Sequence, residues 1–157
     1  MKKIIVSRCL LGEHVRYDGN SCPIEKKYLD LLEKKFIILP FCPENAAGLN
    51  TPREPIVMVD DSQGQITLRT RDSHLFMPEI PTRAIAQFRK LCPLNDIYAA
   101  ILKAKSPSCG FLSTKLYDRN DNIISTQSDG FFARFLKENY PGILIRTEND
   151  FSDLIDF

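Results

Sequence analysis

The sequence predicts an α/β protein with a three-layer, Rossmann-like fold, built on a mainly parallel sheet with a β-hairpin at its edge. Two observations support this fold class. Short runs of apolar residues, each about as long as a buried strand, alternate along the chain with segments whose apolar residues recur at helical spacing. Strands that alternate with helices in this way form parallel sheets whose faces are covered by the helices.

The stretch from Lys3 to Leu39 is interpreted as a βαβ unit. Lys3–Arg8 contains an apolar run that is typical of a strand buried on both faces. Pro23 suits the first turn of a helix, and the residues after it are apolar at helical spacing. Phe36–Leu39 is a second buried strand, which we expect to end before Pro40. Such a crossover between parallel strands is expected to be right-handed.

The middle of the chain is less regular. Its prolines and glycine predict that residues 42–55 are mostly loop. Strand-like runs at Ile56–Val59 and Gln65–Arg69 flank a turn-rich segment, which predicts the edge hairpin. The other predicted elements are a helix over Arg83–Cys92, a strand over Ile97–Leu102, a helix that starts at Ser128 or Asp129, a strand over Ile143–Ile145 and a short terminal helix within Phe151–Phe157.

Length and composition exclude several classes of protein. The 157 residues fit one domain with a hydrophobic core, and we expect a single domain over residues 1–157. The formal net charge is +1, so no strong field of either sign draws the chain to nucleic acid or anionic lipid. The apolar run at the N-terminus is too short for a signal peptide, and no run approaches a membrane span. We therefore expect a cytoplasmic protein.

The cysteines are the first candidates for chemistry. The chain contains five of them, at Cys9, Cys22, Cys42, Cys92 and Cys109. An odd number in a reducing compartment argues against a disulfide framework. No paired Cys-x-x-Cys motif is present, which argues against a zinc finger or zinc ribbon. The cysteines are therefore interpreted as buried thiols, metal ligands or a nucleophile.

Three of the cysteines follow predicted strands. Cys9 comes directly after the first strand, Cys42 shortly after the second, and Cys109 a few residues after the strand Ile97–Leu102. Ligands of parallel α/β sheets bind outside the carboxyl ends of the strands. We therefore expect the three thiols to meet at one edge of the sheet.

Three thiolates allow more than one kind of site. They could form a catalytic zinc site with one open position, and the protein would then be a zinc-dependent hydrolase. They could also hold an iron–sulfur cluster, leaving one iron free to bind a substrate as a Lewis acid. The simplest alternative is that they are small buried apolar residues. The residues alone leave these alternatives open.

Four sequence blocks resemble the thiouracil desulfidase family, TudS. The blocks are Cys9-Leu10-Leu11-Gly12 with Arg16-Tyr17-Asp18-Gly19, Cys42-Pro43-Glu44 with Gly48-Leu49 and Thr51-Pro52-Arg53, Leu102-Lys103 with Ser106-Pro107-Ser108-Cys109-Gly110, and Asp129-Gly130. Their order and spacing agree over nearly the whole chain. Two positions depart from the family pattern, because Val15 stands where many relatives have cysteine and Ala47 where a second glycine is usual.

The resemblance implies an activity and a cofactor. Members of this family remove sulfur from 4-thiouracil-type bases, giving uracil and hydrogen sulfide without net redox change. They bind a 4Fe–4S cluster through three cysteines, which correspond to Cys9, Cys42 and Cys109. The acidic residue and the serine implicated in catalysis correspond by motif position to Glu44 and Ser106.

Five further residues are candidates for substrate binding. Arg16, Asp18 and Arg53 could hold a phosphate or the edge of the base, although they could equally form a structural ion pair. Ser7 could face the cluster, and Ser108 lies nearer to Cys109 than Ser106 does. The net charge of only +1 favours a small thiolated base or nucleotide over tRNA as partner. A non-catalytic sensor that binds a cluster or nucleotide is the alternative to an enzyme.

Overall fold

A computed structural model describes residues 1–94 and 96–156. The strands are β1 (Lys2–Ser7), β2 (Phe36–Phe41), β3 (Ile56–Asp60), β4 (Ile66–Thr70), β5 (Ile97–Leu102), β6 (Thr114–Tyr117), β7 (Ile123–Ser128) and β8 (Leu144–Thr147). The α-helices are α1 (Lys26–Lys35), α2 (Pro43–Ala46), α3 (Ile80–Leu91), α4 (Phe131–Asn139) and α5 (Ser152–Ile155). A 3₁₀ helix, Arg8–Leu11, follows β1 directly.

The main sheet is four-stranded and wholly parallel, with the strand order β2-β1-β5-β8. The chain leaves β1 toward β2 on one side and returns to β5 on the other. The order therefore reverses between β1 and β5, which makes their carboxyl ends the place where an α/β sheet binds ligands.

Helices cover both faces of the parallel sheet, so the predicted three-layer α/β architecture is confirmed. Ile5 points to a core that includes Phe88 of α3 and Phe132 of α4. Its neighbour Ile4 points to the opposite core, which includes Leu32 of α1 and residues of α5. Successive residues of a strand face opposite sides of the sheet, and the apolar run of β1 supplies both cores.

The predicted hairpin exists, but it does not extend the parallel sheet. β3 and β4 pair antiparallel and belong to a second four-stranded sheet of order β4-β3-β6-β7. Met58 and Leu68 of this sheet pack on Ile80 and Ala84 of α3. Neither β6 nor β7 was predicted from the sequence. β7 is an edge strand of mostly exposed and polar residues, so hydrophobic periodicity carries little signal there.

Several predicted boundaries differ from those in the structure. β2 continues through Pro40 to Phe41, because β2 is an edge strand and a proline there breaks no ladder hydrogen bond. The segment after it is mostly loop, as predicted, and includes the four-residue helix α2. α3 begins at Ile80, earlier than expected, with a proline in its first turn. The terminal helix is α5, and Phe157 lies outside the described residues.

In the part of the chain that the structure describes, no helix has the length and apolar character needed to cross a membrane.

Candidate functional site

A cavity of about 320 Å³ opens at the carboxyl ends of β1, β2 and β5. Its walls come from the segments that follow these strands, and the loop around Val15 and Tyr17 closes one side. The thiols of Cys9, Cys42 and Cys109 all lie in this wall. The strand topology thus brings together cysteines that are far apart in sequence.

Cys9 is held by a short, tightly wound segment. It lies in the 3₁₀ helix Arg8–Leu11, which ends at Gly12 with a φ of 92°. This left-handed conformation favours glycine, and it lets the Gly12 amide donate back to the carbonyls of Arg8 and Cys9. The Cys9 carbonyl also accepts a 2.9 Å hydrogen bond from the amide of Cys22. The thiol is buried.

Cys42 stands at the start of α2. It is the N-cap residue, in extended conformation, and Pro43 occupies the first turn of the helix. A proline suits this position because its fixed φ is compatible with a helix and its missing N–H would have no partner there. Glu44 follows in the same turn, so α2 delivers a thiol and a carboxyl group to the same cavity.

Cys109 lies in a turn held from two sides. The Ser106 hydroxyl oxygen accepts hydrogen bonds from the amides of Ser108 (3.1 Å) and Cys109 (3.0 Å). From the other side, the chain at the start of α4 donates to the turn: the Gly130 amide to the Gly110 carbonyl and the Phe132 amide to the Ser108 carbonyl. The turn is therefore anchored to α4, and Cys109 is buried beneath it.

The three thiols share one electrostatic environment. Burial raises the pKa of Cys9 to about 12, and the nearby charge of Cys42 adds to the shift. Burial also raises the pKa of Cys42 and, well above its ordinary range, that of Cys109. For Cys109, the charges of Cys42 and Cys9 contribute to the rise, while a hydrogen bond from Ser7 opposes it. Without a metal, the thiols are protonated near neutral pH, and a soft metal displaces those protons on binding.

The donor set fits an iron–sulfur group. All five cysteines are free thiols, and three of them face the cavity. Among residues 1–94 and 96–156, no three His, Cys, Asp or Glu side chains lie close enough together to hold a single metal ion. The three thiols instead surround a space, and thiolates are the ligands that iron–sulfur clusters select.

Glu44 is the carboxyl group of the site, and its contacts define its orientation. Glu44 Oε1 accepts a hydrogen bond from Arg53 Nε at 3.1 Å, and Glu44 Oε2 accepts one from Ser108 Oγ at 2.8 Å. Glu44 and Ser108 are both buried. Burial of a carboxylate is costly unless it is paired and hydrogen-bonded, and both partners are present here.

Arg53 holds Glu44 rather than projecting freely into the cavity. Its other guanidinium nitrogens donate to the carbonyl of Asn50 (3.1 Å), the hydroxyl of Thr51 (3.1 Å) and the carbonyl of Val15 (3.0 Å). Arg53 was a candidate for substrate binding. It lines the cavity, but most of its donors are engaged within the protein.

Ser7 and Ser106 also line the cavity. The hydroxyl oxygen of Ser7 accepts a hydrogen bond from the Lys103 amide at 3.0 Å, and the Ser7 hydroxyl contacts the Cys109 thiol. Ser7 thereby links the ends of β1 and β5. Ser106 accepts hydrogen bonds from two backbone amides, so its hydroxyl hydrogen is the part of the group that remains to be donated.

Arg16 and Asp18 are placed differently. Arg16 lines the cavity, and its charge opposes the rise in the pKa of Cys9 that burial causes. Asp18 is not among the lining residues. It accepts a 2.9 Å hydrogen bond from the Asn20 amide and lies 3.9 Å from Arg16. Asp18 therefore shapes the loop that carries Arg16.

Neither Arg8 nor Lys103 was predicted from the sequence as a site residue. Arg8 lines the cavity, and its Nε and Nη2 donate to the two carboxylate oxygens of Glu13. Lys103 also lines the cavity, and its ammonium group lies 2.7 Å from a carboxylate oxygen of Glu148. Because Arg8 directly precedes Cys9 in the sequence, it could have been predicted to lie near the site. The partner of Lys103 follows β8, and sequence distance gives no indication of that contact.

A second cavity, of about 560 Å³, adjoins the first. The two share Tyr17, Glu44, Lys105 and Pro107 in their walls. The second is formed by β3, β6 and β7 and is rich in cations and hydroxyl groups; its cationic residues are Arg71, Lys105 and Lys115. The sheet that the sequence analysis only half predicted thus forms the outer part of the cleft.

Comparisons with known proteins agree over nearly the whole chain. The family model described as 2-thiouracil desulfurase matches residues 4–148. The uncharacterized protein YbbK of Bacillus subtilis (strain 168) is 30% identical over 161 residues, which cover 97% of this chain and 99% of YbbK. Among solved structures, a 4Fe–4S-dependent thiouracil desulfidase, TudS, is 37% identical with a TM-score of 0.77, over 98% of this chain and 95% of that one.

Proposed function

Because the chain belongs to the 2-thiouracil desulfurase family, we propose that it is an iron–sulfur-dependent desulfidase of thiolated pyrimidines. The reaction is hydrolytic: water replaces the sulfur of a 4-thiouracil-type ring, and uracil and hydrogen sulfide leave. The observation that carries the proposal is the meeting of three free thiols and one buried carboxylate in the wall of one cavity.

Cys9, Cys42 and Cys109 are the residues that would hold a 4Fe–4S cluster in this chain. The similarity to a 4Fe–4S-dependent desulfidase and the three-thiol donor set both support this assignment. When bound, the cluster supplies a Lewis-acidic iron with affinity for the soft thiocarbonyl sulfur. The protein supplies the turns that position the thiolates and the groups that move protons.

Glu44 is the general acid–base of the proposed reaction. Each of its oxygens accepts one hydrogen bond from the protein and keeps a second lone pair that can accept a proton from water. A positioned acid–base of this kind contributes about 10²- to 10⁴-fold to the rate. Arg53 and Ser108 orient the carboxylate, while Ser106 holds the turn of Cys109 and can donate its remaining hydrogen toward the substrate.

A free base or a nucleotide fits the cleft better than a folded RNA. The first cavity is of a size for one small molecule, and the adjoining cavity carries cations at a distance from the thiols. A pyrimidine in the first cavity would direct its ribose and phosphate toward Lys105 and Arg71. The formal net charge of +1 gives the protein as a whole little electrostatic attraction for tRNA.

The chemistry also favours a reducing compartment. The cysteines are all free, and a cluster with an open iron requires protection from oxidation. We therefore propose that the protein works in the cytoplasm.

The test is anaerobic reconstitution with iron and sulfide, followed by addition of 4-thiouracil or 4-thio-UMP. The readouts are the long-wavelength thiocarbonyl absorbance and the hydrosulfide released. Single Cys→Ser variants at Cys9, Cys42 and Cys109 are compared with Cys92→Ser, because Cys92 is a buried free thiol outside the cavity wall.

The proposal predicts that wild type and Cys92→Ser bind iron and release sulfide, while the three other variants do neither. Cluster binding without sulfide release would favour a sensor instead of an enzyme. A colourless protein with stoichiometric zinc would favour a zinc-dependent hydrolase. Cluster loss in the Cys92→Ser variant alone would contradict the ligand assignment.

A further inference from the structure

Arg8 joins two of the segments that carry the thiols. Arg8 Nε and Nη2 donate to the two carboxylate oxygens of Glu13, each at 2.9 Å. Arg8 Nη1 donates to Asn45 Oδ1 at 2.8 Å. Arg8 is the first residue of the 3₁₀ helix that contains Cys9, and Glu13 follows the Gly12 cap of that helix. Asn45 lies in α2, three residues after Cys42. The Arg8 side chain therefore connects the segment that carries Cys9 to α2, the helix that Cys42 caps.

Few other contacts hold these two segments together. β1 and β2 are paired in register only up to Ser7 and Phe41, so the sheet stops just before both cysteines. Beyond that point, the Arg8 guanidinium bonds the 3₁₀ helix of Cys9 directly to α2. Among the hydrogen bonds of the described residues, Arg53 adds an indirect connection, from Glu44 of α2 to the Val15 carbonyl. A planar fork that binds a carboxylate at both oxygens holds its remaining nitrogen in a fixed direction.

We propose that Arg8 is a positioning residue, which sets the separation of the Cys9 and Cys42 thiolates through the Glu13–Arg8–Asn45 chain. The bidentate pair with Glu13 fixes the guanidinium against the Cys9 loop, and the remaining nitrogen holds α2 in place. Groups that orient metal ligands typically change metal affinity about 10- to 100-fold when they are removed. The proposal rests on the proposed cluster site.

Two variants distinguish the positioning role of Arg8 from an effect of its positive charge. Arg8→Lys keeps a positive charge beside Cys42 but cannot bind Glu13 and Asn45 as a rigid fork. Asn45→Ala removes the link to α2 and leaves the Arg8–Glu13 pair intact. Arg146→Lys is the matched control, because Arg146 forms a similar pair with Asp153 (Nη2–Oδ2 2.7 Å) that lies outside the cavity wall.

The experiment measures how fast reconstituted protein loses iron to a chelator under anaerobic conditions. The loss of cluster absorbance is the readout. We expect Arg8→Lys and Asn45→Ala each to lose iron about tenfold faster than wild type. The double variant should be no faster than either single one, because both break the same link. Arg146→Lys should match wild type. The thermal midpoints of the metal-free proteins show whether a variant acts on global stability instead.

The inference is wrong if either single variant retains iron as wild type does, or if the two effects multiply in the double variant. It is also wrong if faster iron loss simply follows a lower thermal midpoint. In these outcomes the wild type still binds a cluster, so the proposed function stands. A wild type that binds no cluster overturns both proposals together.

Discussion

The Ser108 hydroxyl donates a 2.8 Å hydrogen bond to Glu44 Oε2 and joins the turn of Cys109 to α2, the helix that Cys42 caps. Both side chains are buried, and 64 positions separate them in the sequence. The contact assigns different surroundings to the two serines of the Ser-Pro-Ser-Cys motif. Ser108 contacts the carboxylate, whereas Ser106 holds backbone amides.

Replacing Glu44 by Gln should lower kcat by about 10²- to 10⁴-fold, because the amide has the same shape but cannot take up a proton. We expect the cluster to remain, since Glu44 is not one of the proposed ligands. Single-turnover sulfide release and iron content together test this. Glu138→Gln, on α4, is the control, and equal losses of activity in both variants would count against Glu44 as the acid–base.

Ser108→Ala and Ser106→Ala should fail in different ways. Ser108→Ala removes one donor to the Glu44 carboxylate, so we expect kcat to fall about tenfold or more while the iron content stays unchanged. Ser106→Ala leaves the amides of Ser108 and Cys109 without their acceptor. It should cost about 1–3 kcal/mol of unfolding free energy and speed the loss of iron. Iron analysis and urea unfolding distinguish the two outcomes, and the reverse pattern would exchange the roles of the serines.

Gly130→Ala should displace the turn that carries Cys109. A Cβ at Gly130 would lie 2.5 Å from the Ser108 carbonyl oxygen and 2.8 Å from the Cys109 nitrogen. These are backbone atoms, so the turn itself must move, at a cost of about 1–3 kcal/mol. We expect lower iron content after reconstitution. Gly142→Ala is the control: its φ of 80° makes alanine strained, but no atom lies near, and cluster binding should survive.

The stability of the metal-free protein should fall at high pH. Burial, with the charge of Cys42 as a smaller cause, raises the pKa of Cys9 from 9.0 to about 12 on folding. The unfolded thiol therefore releases its proton first, and the stabilisation present below pH 9 is lost as the pH rises toward 12. Urea unfolding should show wild type losing about 1 kcal/mol more per pH unit than Cys9→Ala over this range. Parallel curves would mean that Cys9 is accessible to water.

Lys105 should favour nucleotides over free bases. It lines both cavities, at the junction between the thiols and the cationic outer part of the cleft. Lys105→Met should lower kcat/KM for 4-thio-UMP about tenfold, the effect of losing one hydrogen bond to a charged group, and leave that for 4-thiouracil almost unchanged. Lys90→Met, on the surface of α3, is the control. An equal loss on both substrates would argue against a phosphate contact.

The sequence was sufficient for the parallel core and for the order of its main elements. β5 was predicted to the residue, because a short apolar run between polar loops has few other interpretations. The placement of Cys9, Cys42 and Cys109 at one edge followed from the same elements, since parallel strands bring their carboxyl ends together. The apolar run that marks a buried strand is a local pattern, and it can therefore be recognised in the sequence.

Tertiary structure alone decided which polar groups meet. The Arg53–Glu44–Ser108 contacts and the Glu13–Arg8–Asn45 chain depend on ångström-scale positions of loops, which no periodicity encodes. Half of the second sheet was also hidden, because β7 is polar and β6 is only four residues long. The apolar pattern therefore determined the fold and the edge where the thiols lie, whereas packing determined the hydrogen bonds that turn this edge into a candidate site, since such bonds depend on distance and direction.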